Sequence, residues 1–210
     1  MVPTKVAFFA WEATWEKILT LDRLQMRGWQ LPNCCFLCGC EEENVNHILL
    51  HCTVVRTLWD IAFALFGVQW VFPDKVKEAL FCWRGPFVGK KRKKIWKTIP
   101  LCIFWTVWKE RNRLAFRGGL LAIQTLKNSF VCSLWSWAKL YRGDESSSLL
   151  GFLEWVAGEV FLFLFFLALW LLCILPVCGA AFRPSIFYFL LSLIKKKKKS
   201  SQKRSIPIKG

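Results

Sequence analysis

The chain has 210 residues, enough for one or two small domains, and its 55% hydrophobic share is unevenly spread. Residues 1–150 read as a Trp- and Phe-rich module, residues 152–194 are almost uncharged, and the last sixteen are lysine-rich. Net charge is +16; Arg183 onward carries nine basic residues and no acidic one, which leaves 21 basic against 14 acidic side chains before it. That balance favours partners that carry phosphate, nucleic acid or anionic lipid, without choosing between them. The opening MVPTKVAFFAWEATWEK does not read as a cleavable signal peptide, so a cytosolic or nuclear start is expected.

Val6, Phe9, Ala10, Ala13 and Ile18 recur at helical spacing and predict a first helix. Thr20, Asp22 and the run RLQMRG predict a second, short helix ended by Gly28. Next comes CCFLCGCEEENVNHILLHC, residues 34–52, which holds five of the ten cysteines and both histidines. In a reducing compartment clustered cysteines are ligands more often than disulfides. Zinc takes four soft or borderline ligands at tetrahedral corners.

A turn at Cys35-x2-Cys38 can aim two thiolates at one point, with Cys34 and Cys40 as extra thiols beside it. GCEEEN reads as a polar turn and VNHILLHC as the start of a helix. His47 supplies the third ligand, and two residues compete for the fourth. His47 and His51 stand four apart on one helical face. His47 and Cys52 stand five apart, off-face by roughly 140° on an ideal helix, so that pair needs the helix to end or distort near Leu50. Spacing leaves both sets open: Cys35, Cys38, His47 with Cys52, or with the rival ligand His51.

Beyond the cluster, Leu58, Ile61, Ala62 and Leu65 repeat the helical pattern, and Phe63, Phe66 and Trp70 add aromatic bulk expected in the core. GKKRKKIWK supplies Lys90, Lys91, Arg92, Lys93, Lys94 and Lys97, a candidate patch for phosphates of RNA or DNA, or an import signal. Trp96, Trp105 and Trp108 fall at core spacing with Ile99 and Cys102, while Lys109, Arg111, Arg113 and Arg117 are expected to add a basic face to the same helix. RGDESSS, residues 142–148, is a polar break.

Val160–Phe182 is an uncharged run of 23 residues, long enough for a membrane-spanning helix, with Trp155 and Arg183 as interfacial anchors. Ile186–Ile194 is a shorter apolar run, and Pro176 and Pro184 make a helical hairpin conceivable. Positive-inside weighting places Lys195–Lys199 in the cytoplasm.

Several stretches together carry a family resemblance: P-x-K-V-x-x-F-x-W at Pro3–Trp11, L-T-x-D-x-L-x-x-R-G at Leu19–Gly28, C-x2-C…E…H-x4-C, then Leu58-Trp59 and Leu65-Phe66-Gly67. They resemble the reverse-transcriptase zinc-binding domain that follows the polymerase in plant non-LTR (LINE-type) retrotransposon polyproteins. The likeness is close over residues 1–70. It is looser through the Trp- and Arg-rich Leu101–Phe116 and SLWSWAKLYRG, to about Gly158. It implies that the fourth ligand is Cys52, and it implies a reverse transcriptase domain encoded elsewhere as partner. It also offers a second account of residues 159–210, as T-rich and poly(A) flank read as Phe, Leu and Lys.

A polymerase needs clustered carboxylates for two Mg²⁺ ions. The four aspartates, Asp22, Asp60, Asp74 and Asp144, are scattered, and there is no Y-x-D-D, phosphate-binding loop or H-E-x-x-H. No enzyme activity is expected.

The expected fold is mostly α: a small zinc-knuckle module with short helices around it, followed by a long hydrophobic helix, a candidate transmembrane segment. The expected units are residues 1–72 as the zinc-binding domain, 73–158 as a basic, Trp-rich helical extension, 159–194 as the hydrophobic segment and 195–210 as a disordered tail. Two other readings are a membrane-anchored zinc protein that contacts other proteins, inserted through 160–182, and a transposon relic without function.

Overall fold

The computed structural model describes residues 2–84, 92–142 and 148–157. These residues form seven α-helices and one π-helical turn, with no strand among them. They are α1 (Thr4–Thr14), α2 (Leu21–Met26), the π-turn (His47–His51), α3 (Thr53–Phe66), α4 (Val76–Cys82), α5 (Lys93–Arg117), α6 (Ile123–Arg142) and α7 (Leu149–Ala157). All fall within one compact unit.

The predicted apolar stripe of α1 is the face that packs: Val6, Phe9, Ala10 and Ala13 are buried, and Ile18 is buried just past the helix end. The second helix forms as predicted, and Gly28 follows it at φ +87°, a conformation that disfavours any residue with a Cβ. α5 is the longest helix and packs most extensively on α6, while α1, α3 and the π-turn also lie against it.

An aromatic cluster fills the centre. Trp59 lies within 6.2 Å of Phe63, Phe72, Trp83 and Phe104, measured between ring centroids. Trp83 stacks on Trp96 at 4.3 Å and 5°, and its indole N–H donates to the Trp96 carbonyl at 2.8 Å. Each such side chain contributes roughly 1.5–3 kcal/mol by leaving water, and the indole N–H groups of Trp59 and Trp83 find partners inside the core. The buried cluster runs from Phe9 to Val156 without a break at residue 72.

The expected long hydrophobic helix is corrected. Among the described residues no helix is long and apolar enough to cross a membrane. α7 ends at Ala157 after nine residues, and the 25-residue α5 carries lysines and arginines along its length; a span needs about 20 largely apolar residues. The run 160–182, the whole of 159–194 and the tail 195–210 lie outside the described residues.

Candidate metal centre

The Cys-x2-Cys turn closes through backbone bonds. The Gly39 amide donates to the Cys35 carbonyl, and the Cys35 amide to the Glu41 carbonyl, each at 2.8 Å. Gly39 has φ +65°, and open space surrounds the position of a Cβ, so backbone conformation and not crowding favours glycine there. The chain then enters the π-turn, where the Cys52 amide donates to the His47 carbonyl at 2.7 Å. This i→i+5 bond is the distortion that the five-residue spacing required. It brings Cys52 round to the side of His47.

Asparagine side chains frame the turn. Asn44 accepts the His47 amide at 2.8 Å, Asn46 the Val76 amide at 3.0 Å, and Asn33 the Glu43 amide at 2.8 Å. The Trp59 indole donates to the Leu49 carbonyl at 3.1 Å.

As a result the ligand atoms of Cys35, Cys38, His47 and Cys52 all lie within 4.8 Å of one another, with Cys38 Sγ 3.4 Å from His47 Nε2. A tetrahedral centre with metal–sulfur bonds of about 2.3 Å has edges of about 3.8 Å, so this set fits one zinc ion. His51 is not part of it: its Nε2 lies 3.1 Å from the Asp74 carbonyl. Cys34 and Cys40 are exposed, and the Cys40 thiol donates to the Cys38 carbonyl. Glu41 Oε2 lies 3.0 Å from His47 Nδ1, an ion pair when the imidazole is protonated.

Electrostatics within the cluster follow from its proton sharing. The Cys35 thiol is pushed up to about 12, first by its hydrogen bond to Cys52 and then by burial. Cys52 is held below the usual thiol range, chiefly by that same bond, with the amides of Val55 and Val54 at the start of α3 adding to it. His47 is pushed up to about 9, first by its bond to the Cys35 sulfur. Zinc must therefore expel protons when it binds.

Residues 1–59 match the family described as zinc-binding in reverse transcriptase. Among the curated proteins and the solved structures, nothing matches. The zinc-binding segment holds all four ligands and ends inside α3. Three thiolates and an imidazole form the donor set, and zinc is the cofactor it takes.

A buried ion pair also leaves that segment. Glu43, fully buried, accepts from Arg111 of α5: Nη2 to Oε1 at 2.7 Å and Nε to Oε1 at 3.0 Å. The same carboxylate accepts the Leu21 amide at the start of α2 at 3.1 Å. Arg111 is 3% exposed, and its guanidinium lies over the rings of Phe36 and Trp108, at 5.0 and 5.2 Å. This corrects two expectations. The polar turn GCEEEN carries one glutamate, Glu43, into the core, and Arg111 is no part of a basic outer face. Angular spacing signals the second point, since residues two apart on a helix differ by about 200°.

In the predicted phosphate patch, Lys90 and Lys91 lie outside the described residues. Lys93, Lys94 and Lys97 are exposed at the start of α5. Arg92 is half-buried and donates to the Val156 carbonyl at 2.7 Å, near the C-terminus of α7. Trp96 is buried, and Trp105 and Trp108 pack against Phe9 of α1 at 5.8 and 5.2 Å, so these rings belong to the core.

Proposed function

We propose that this chain is a structural zinc module of a retrotransposon-derived reverse transcriptase protein of the plant LINE type. It helps to hold RNA or DNA for a polymerase domain encoded elsewhere, has no polymerase activity of its own, and works in the nucleus or cytoplasm. The observation that carries the reading is the closed donor set: Cys35, Cys38, His47 and Cys52 fill four positions, and three of them are buried. A zinc ion with four protein ligands has no open position for water or substrate, so it stabilises a fold and does not catalyse. Exposed lysines at the start of α5 and a net charge of +16 support a polyanionic partner.

The test is a salt titration of oligonucleotide binding by the full chain, with zinc loaded and removed, beside a primer-extension assay. Binding that weakens steeply with salt and is lost on chelation, with no extension, is the expected result. Extension of the primer, or binding indifferent to zinc, overturns the reading.

A further inference from the structure

We infer that the groove between α5 and α6, and not the lysine run that opens α5, is where the chain takes a single-stranded nucleic acid; this rests on the nucleic-acid reading above. The groove has a volume of about 600 Å³ and is lined by Lys109, Arg113, Phe116 and Arg117 from α5, with Leu126 and Ser129 from α6 opposite. Lys109, Arg113, Phe116 and Arg117 fall within a helical arc of roughly 100°. Their charges divide in two. Arg113 pairs with Glu110 at 2.8 Å, which uses up the groove's one carboxylate. It also donates to the carbonyls of Gly118 and Leu120, at 3.3 and 3.1 Å, and so blunts the negative end of α5. Lys109 and Arg117 remain exposed, with no ion pair among the described residues.

Beside these cations stands Phe116, 79% exposed. A ring left in water next to two unpaired cations matches the two contacts that a single strand offers, a base face and its phosphates. Thr106 is buried at the base of the groove and closes it from below. Trp96, the ring beside the lysines that open α5, is fully buried and offers no face to a base. A duplex offers phosphates but hides its base faces, so the groove selects single strands.

The test uses the zinc-loaded full chain, a fluorescent 20-nucleotide oligouridylate and a duplex of equal length, titrated across a salt series. Phe116→Ala is expected to weaken oligouridylate binding about fivefold or more and to leave duplex binding within about twofold. Phe116→Trp restores it. Lys109→Gln/Arg117→Gln lowers the slope of log affinity against log salt by about 1.4, two phosphate contacts' worth on a single strand. Each substituted side chain is exposed, so zinc content and melting midpoint stay unchanged and serve as the folding control. If Lys93→Gln/Lys94→Gln/Lys97→Gln abolishes binding while the groove variants bind normally, the groove is wrong and the nucleic-acid reading stands. If the unmodified chain binds neither probe at low salt, the nucleic-acid reading itself fails and takes the groove with it.

Discussion

Residues 33–52 are held by directional bonds: a four-ligand cluster, a buried ion pair and three asparagine side chains closed on backbone amides. The centre around Trp59, Trp83 and Trp96 is held by ring packing. The first region also buries Leu37, Val45, Ile48, Leu49 and Leu50, but its polar contacts depend on geometry, and removing one partner strands the other. The second spreads its stabilisation over many weak contacts, so truncating one of its phenyl or aliphatic side chains subtracts without stranding a polar partner. Damage to the metal loop should be abrupt, and damage to the aromatic centre graded.

Removing zinc is the largest break. Chelation, or Cys35→Ser/Cys38→Ser, should abolish cooperative unfolding of the metal loop, since structural zinc carries apparent binding energies of order 10 kcal/mol. Near-UV circular dichroism melts with parallel metal analysis check this. Acid does the same gradually. The thiol of Cys35 is pushed up to about 12 and the imidazole of His47 up to about 9, so both bind protons that zinc must displace. Zinc affinity therefore falls as pH falls, and a competition titration between pH 8 and pH 5.5 (roughly the workable range of a chelator dye) should show it falling throughout.

Arg111→Ala comes next. It leaves the fully buried Glu43 carboxylate without its guanidinium and should cost about 3–5 kcal/mol in denaturant melts. Glu43→Gln/Arg111→Met should recover much of that loss, because no charge is then stranded. A double variant no better than the single one would mean that the pair is not the tie between loop and α5.

Leu58→Ala sharpens the contrast from the other side. Leu58 is fully buried in α3, and truncation should cost about 3 kcal/mol while zinc affinity at 25 °C stays within about threefold of the unmodified chain. Loss of zinc together with stability would show that the two regions are not separable in this way.

The smallest effect belongs to His51→Ala. Its contact is one partly exposed approach to the Asp74 carbonyl, so stability should fall by about 1 kcal/mol or less, with one zinc per chain retained. Zinc loss in this variant would restore His51 as a ligand.

Much of this was legible along the chain because it is local. The apolar face of α1, the stop at Gly28 and the Cys-x2-Cys turn each depend on neighbours a few residues away. The fourth ligand was half legible: spacing demanded a distorted helix without saying that the distortion is a π-turn. The Glu43–Arg111 pair was hidden, since three consecutive glutamates look solvated and the partner lies 68 residues on. Pattern alone does not reveal a long-range polar contact. It did hold one unused clue, because Arg111 is out of phase with Lys109, Arg113 and Arg117.

The π-turn has a further consequence, for the charge of the centre. In a helix of α pitch, His47 and His51 share a face, and two thiolates with two imidazoles around Zn²⁺ give a neutral complex. The wider turn puts Cys52 in place of His51. Three thiolates then leave the complex with one net negative charge, which strengthens its hold on the cation and weakens the metal's pull on any outside electron pair. One extra residue in a turn thus makes the centre an anion inside a chain of net charge +16.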